Sequence, residues 1–219
     1  QTTTVKTQTT VQTDTSQKYT KKSKNVVQTQ KVTTTVKTTT TVVAAAKTSA
    51  AKTTTTATAA NTKKEKYTVS NVASVAPQMD SRVLNAFTKM GFTVTIDPSV
   101  SYAGYFDGKT RSITLRYEDD TIYHELGHYL AFIAGNVDKS AAFTSVYNSE
   151  KSKFTGVRKA YATQNASEYF AESVLEYTEN PATLKAQRPQ TYEAIVNALS
   201  KVTDAQVTKI MNVYKVIWK

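Results

Sequence analysis

The chain has 219 residues, no cysteine and a formal net charge of +11, so it forms neither disulfides nor thiolate metal sites, and any metal must be held by imidazole and carboxylate. The charge is uneven: residues 1–66 carry 12 Lys or Arg and 2 acids, whereas residues 67–219 carry 16 and 15. The basic character therefore belongs to the first third, which argues against a specific nucleic-acid face on a folded domain, and no apolar run approaches the roughly 18 residues of a transmembrane segment.

Residues 1–66 are mostly Thr, Lys, Gln, Val and Ala with near-repeats such as Thr2-Thr3-Thr4-Val5-Lys6 and Thr33-Thr34-Thr35-Val36-Lys37, and they contain no Gly, Pro, Leu, Ile, Phe or Trp. Too little apolar surface is present to offset the entropy of ordering, so a disordered low-complexity tail is expected. Its Thr and Val content makes strand pairing the rival reading. As a solvated spacer the tail needs no partner; as a cationic tether it would bind an anionic cell-wall polymer or surface. The first residue is Gln1 rather than methionine, which implies processing or a truncated sequence; removal of a secretory signal is one economical explanation, with a secreted or cell-surface location then expected.

A folded domain is expected over residues 67–219. Val83, Leu84, Phe87 and Met90 recur at helical spacing before Gly91, and Phe92 to Ile96 alternates like a half-buried strand closed by Asp97-Pro98. Tyr105 to Asp107 and Ser112 to Leu115 read as the arms of a hairpin, with Ile113 and Leu115 on one face. The second arm lies just before the next helix, where it would either cover the core or edge a cleft and pair with an extended ligand.

Asp119, Asp120 and Thr121 then open a helix with Leu126, Leu130 and Ile133 on its buried side and Gly135 at its end. Further helices are expected at about 140–153, 166–178, 181–187, 191–200 and 203–214, started by Ser140, Pro181, Thr191 and Thr203. The fold class is therefore α+β, mostly helical with a small antiparallel sheet, and the protein is expected to be monomeric.

The helix after Asp120 carries the only two histidines, in His124-Glu125-Leu126-Gly127-His128. Side chains at i and i+4 share a helix face, so both imidazoles can reach one ion while Glu125 points at the water beside it. A catalytic zinc takes three protein ligands and one open position. The third must be a carboxylate, and Asp138, Glu150, Glu168, Glu172, Glu176 and Glu179 are the candidates. Glu150 lies 22 residues beyond His128 but in wholly polar surroundings, as on a solvated helix end. Glu168 is preferred, because it and Glu172 stand at i and i+4 on an otherwise apolar helix, where carboxylates need partners. One turn behind, Glu172 is placed to accept an N–H from a ligating imidazole.

The combination of HELGH, Tyr161 and Glu168-Tyr169-Phe170-Ala171-Glu172 resembles the C-terminal zinc metallopeptidase domain of anthrax lethal factor and the related clostridial Pro-Pro endopeptidases. The resemblance covers roughly residues 70–200, including the Tyr105-Phe106-Asp107-Gly108 hairpin and the Arg188 to Glu193 stretch, and leaves out the tail. It implies a zincin-type, toxin-like hydrolase binding one Zn²⁺ through His124, His128 and Glu168, with Glu125 as general base, Tyr161 stabilising the oxyanion, and a protein or peptide as substrate. The Pro-Pro branch has an aromatic wall with a tryptophan ahead of the motif helix. Here the sole tryptophan is Trp218, so Tyr102, Tyr105, Phe106 and Tyr117 are the candidates for such a wall. The alternative function is a surface-associated binding or adhesion module with a structural zinc site, its fourth position filled by protein.

Overall fold

The computed structural model describes residues 65–218 together with the backbone of two short strands, β1 (Thr10–Val11) and β2 (Val36–Lys37). These pair antiparallel, Thr10 opposite Lys37 and Val11 opposite Val36. The rest of the expected disordered tail lies outside the described residues, apart from Glu65 and Lys66. The chain divides into two units, Gln1–Ala59 and Ala60–Lys219. The second unit is mostly helical with one four-stranded sheet.

That unit begins with β3 (Tyr67–Val69), a one-turn helix α1 (Val72–Val75) and α2 (Ser81–Lys89). Asp80 caps α2 by accepting the Arg82 N–H at 2.9 Å, and Gly91 follows with φ +73°, the left-handed conformation that suits glycine at a helix end. Strand β4 (Thr93–Ile96) and the hairpin β5 (Gly104–Asp107) and β6 (Ser112–Leu115) complete the sheet in the order β3-β4-β6-β5. Val94, Ile96, Ile113 and Leu115 are buried, as the two-residue alternation requires. The sheet is mixed rather than wholly antiparallel. β4 and β6 run parallel, Thr93 opposite Ser112 and Ile96 opposite Leu115, because the chain leaves β4, forms β5 at the outer edge and returns between them.

The central helix α3 (Thr121–Ile133) is buried along almost its whole length. It ends as expected at Gly135 (φ +90°), where the Asn136 N–H reaches back to the Ala131 carbonyl at 2.8 Å. This is a hydrogen bond that closes a left-handed helix terminus. After a 3₁₀ turn at Val137–Lys139 come α4 (Ala141–Glu150), a one-turn α5 (Lys159–Ala162) and α6 (Ala166–Glu179). Then follow α7 (Pro181–Gln187), α8 (Pro189–Ser200) and α9 (Asp204–Tyr214). No helix among the described residues is long and apolar enough to cross a membrane.

Two features fix the approach of α3 to α6. Gly127 faces Ala171 so closely that a Cβ there would lie 2.7 Å from the Ala171 Cα, so glycine is what lets the backbones come together. Around the contact, Tyr129, Leu130, Tyr169, Phe170 and Val174 are all at most 1% exposed. The two helices that carry the motif residues are thus locked by the core.

Candidate metal centre

α3 and α6 bring together the residues the sequence singles out. His124 and His128 sit one turn apart on α3, their rings edge to face with centroids 4.9 Å apart. Glu168, in the first turn of α6, turns its Oε2 to within 3.1 Å of His124 Nε2 and 3.6 Å of His128 Nε2. The three residues offer donor atoms within 4.8 Å of one another, a group able to hold a metal ion. Two imidazoles and one carboxylate are a donor set suited to zinc, so the residues present fit such an ion.

Behind this group, His124 Nδ1 lies 2.9 Å from Glu172 Oε2. A hydrogen bond there fixes the ring orientation and directs Nε2 toward Glu168. Arg158 donates to the same Glu172 oxygen at 3.2 Å, which the sequence reading did not anticipate.

The electrostatics follow from this packing. Burial disfavours the charged His124 ring, but hydrogen bonds to Glu168 and Glu172 outweigh burial and push its pKa up to about 9. For Glu168, burial raises the pKa, yet hydrogen bonds from His124, His128 and Tyr161 hold it well below the usual carboxylate range. Glu125 is 4% exposed, and burial pushes its carboxyl up against the opposing pull of the two histidines. Burial, then the hydrogen bond to Glu168, pushes the Tyr161 hydroxyl up.

Glu125, His128, Tyr161 and Glu168 open onto one cleft of about 620 Å³. One side of it is β5. Among the described residues the edge strand is this first arm of the hairpin and not the second: β6 has neighbours on both sides, whereas β5 has one. Gly104 in β5 lies against the base of the cleft, where an added Cβ would stand 2.5 Å from Glu125 Oε1.

Of the expected aromatic wall, Tyr105 and Phe106 line the cleft, and Tyr102 packs on Tyr105 with centroids 5.9 Å apart. Tyr117 stands outside the lining, with the Arg116 guanidinium over its ring. Trp218, remote in sequence, folds back onto the hairpin and donates to the Gly108 carbonyl at 2.9 Å.

Asp138, Glu150 and Glu176 have other partners, and Glu179 is not in the metal group. Asp138 accepts from Ser167 at 2.5 Å and Glu176 pairs with Arg188. Glu150 is wholly buried rather than solvated, and it accepts from the Gln190 N–H (3.3 Å), the Thr191 N–H (2.9 Å) and the Thr191 hydroxyl (2.8 Å). Its carboxylate caps the N-terminus of α8, where free N–H groups and the helix dipole favour negative charge. That is why it is absent from the metal group and why α8 starts at Pro189, before Thr191.

The family described as Anthrax toxin lethal factor, N- and C-terminal domain, matches residues 4–198. The chain belongs to this family. The match starts well before the motif-bearing region near residue 70 and stops short of α9. No curated protein matches the chain.

Proposed function

We propose that the protein is a secreted, toxin-like zinc endopeptidase that hydrolyses peptide bonds in a protein substrate. The observation that carries this reading is the convergence of His124 Nε2 and His128 Nε2 on Glu168 Oε2, beside a cleft that also contains Glu125 and Tyr161. His124, His128 and Glu168 would hold one zinc ion, and Glu172 would orient His124 from behind. When bound, zinc supplies Lewis acidity, which acidifies water and polarises a carbonyl.

The chain's own groups divide the remaining work. Glu125 takes the proton of the attacking water on its carboxylate and passes it to the leaving amine. Its burial suits a base whose proton affinity must rise above that of a solvated carboxylate. The Tyr161 hydroxyl donates to the carbonyl oxygen as negative charge develops there. Among the described residues β5 is the edge strand of the sheet and lies beside Glu125, which supports binding of an extended peptide by strand addition.

Zinc content measured together with digestion of an unbiased peptide library tests this reading. The wild-type chain is expected to carry one zinc and cleave. Glu125→Gln is expected to keep zinc and lose turnover, and His128→Ala to lose zinc. Unchanged turnover in Glu125→Gln would remove the base assignment, and a chain that takes up no zinc would remove the reading altogether.

A further inference from the structure

The segment after residue 198 lies beyond the family match, yet it reaches the cleft. Trp218 stacks on Tyr214 with centroids 5.0 Å apart and meets Phe92 edge-on at 5.7 Å. The Arg111 guanidinium lies 5.5 Å from its ring centroid, and its Nε1–H donates to Gly108. Tyr214 in turn packs edge to face on Phe132 at 5.1 Å. Gly108, Phe132 and Tyr214 all line the cleft that contains Glu125, His128 and Glu168.

Several polar groups at this end are already engaged. Asp107 accepts the Lys109 and Thr110 N–H groups, the Gly108 carbonyl accepts from Trp218, and Asp138 accepts from Ser167. Apart from the exposed Lys109, Asn136 and Lys139, this end of the cleft offers the aromatic surface of Phe132 and Tyr214. Such surface recognises shape and apolar area.

We infer that Phe132 and Tyr214 form a subsite for an apolar side chain of the bound peptide, and that Trp218 is the positioning residue that holds Tyr214 and the Gly108 turn in place. The inference takes its ligand class from the peptidase reading. It differs in resting on Phe132 and on α9 and the residues after it, none of which belongs to the metal group. Because Gly108 directly follows β5, the Trp218 hydrogen bond also ties the edge strand to this subsite.

Trp218 is the single tryptophan of the chain, so its emission reports on this end of the cleft without requiring turnover. The zinc-treated full chain carrying Glu125→Gln is titrated with two peptide libraries, identical except that Phe and Leu in one are replaced by Ser in the other. The Phe/Leu library is expected to shift the emission at about 10-fold lower concentration than the Ser library. Adding Tyr214→Ala should abolish the difference, while Tyr214→Phe should keep it and so control for folding. Equal responses to both libraries would overturn the subsite, whether or not the wild-type chain cleaves peptides.

A selective response from a chain whose wild type cleaves nothing would instead uphold the subsite and remove the peptidase reading. For the positioning role, Trp218→Phe retains a ring but loses the donor to Gly108. It is expected to raise KM several-fold for a Phe-containing peptide with zinc content and kcat unchanged. A fall in kcat at constant KM would overturn that role.

Discussion

His124 is gripped on both ring nitrogens, by Glu172 at 2.9 Å and Glu168 at 3.1 Å. Removing Glu172 therefore frees the ring without removing a metal donor, and Glu172→Ala is expected to weaken zinc affinity about 10–100-fold. Competition against a chelator measures this, and an unchanged affinity would show that Glu172 does not act through His124. Gly104 makes the complementary case. A methyl group there would collide with both Glu125 Oε1 (2.5 Å) and Glu125 Cγ (2.8 Å), so if Glu125 is the base proposed above, Gly104→Ala should displace it and lower kcat at least about 10-fold while zinc content stays constant. Full activity in that variant would mean that Glu125 need not stand where it does. The difference in legibility between these two residues is physical. Glu168 and Glu172 lie on one helix as His124 and His128 do on another, and helical periodicity shows which side chains share a face. Gly104 and Arg158 matter only because of how β5 and the chain before α5 lie against α3 and α6, and local sequence spacing carries no trace of that.

At the level of elements, Glu150 ties α4 to the N-terminus of α8. Its carboxylate is wholly buried and accepts two backbone N–H groups and one hydroxyl, so Glu150→Ala would leave those donors unpaired in the interior. A loss of about 3 kcal/mol of stability is expected, the scale of hydrogen bonds to a buried charge, and zinc content should not change. Denaturant unfolding alongside metal analysis checks both halves, and loss of zinc at unchanged stability would restore Glu150 as a ligand candidate. The residues around Glu150 are polar, so local reading puts it in solvent; its true partners are 40 and 41 residues away. The same limit explains the other differences. The longer helices and β4 to β6 are legible because each repeats its burial pattern over several residues. α1, α5 and β3 span four, four and three residues, too few for a period to emerge. The parallel pairing of β4 with β6 depends on where the hairpin inserts, which alternation alone does not encode.

For the molecule as a whole, the metal group links α3, which packs on the β5–β6 hairpin, to the helical layer that begins at α6, so occupancy of the group should be felt as global stability. The sign of its pH dependence follows from the charges. In the chelated protein His124 titrates at about 9 against an ordinary 6.5, so between these values the folded state binds more protons than the unfolded one. The stability from this ion cluster is then fully present below about pH 6.5 and lost as pH rises through 9. Glu125, raised by burial, adds to the decline once pH passes the ordinary carboxylate range. Glu168 works in the other direction: its depressed pKa contributes stability that is present above about pH 4.5 and lost as pH falls. Zinc held as proposed would reverse the alkaline trend, because it would compete with the proton for His124 Nε2 and bind more tightly as that proton becomes easier to remove. Thermal melts of zinc-loaded and chelated protein at pH 6, 7.5 and 9 should therefore show a Tm gap that widens steadily with pH. A gap that stayed constant or narrowed over this range would mean that the proton on His124 and the metal do not compete for the same nitrogen.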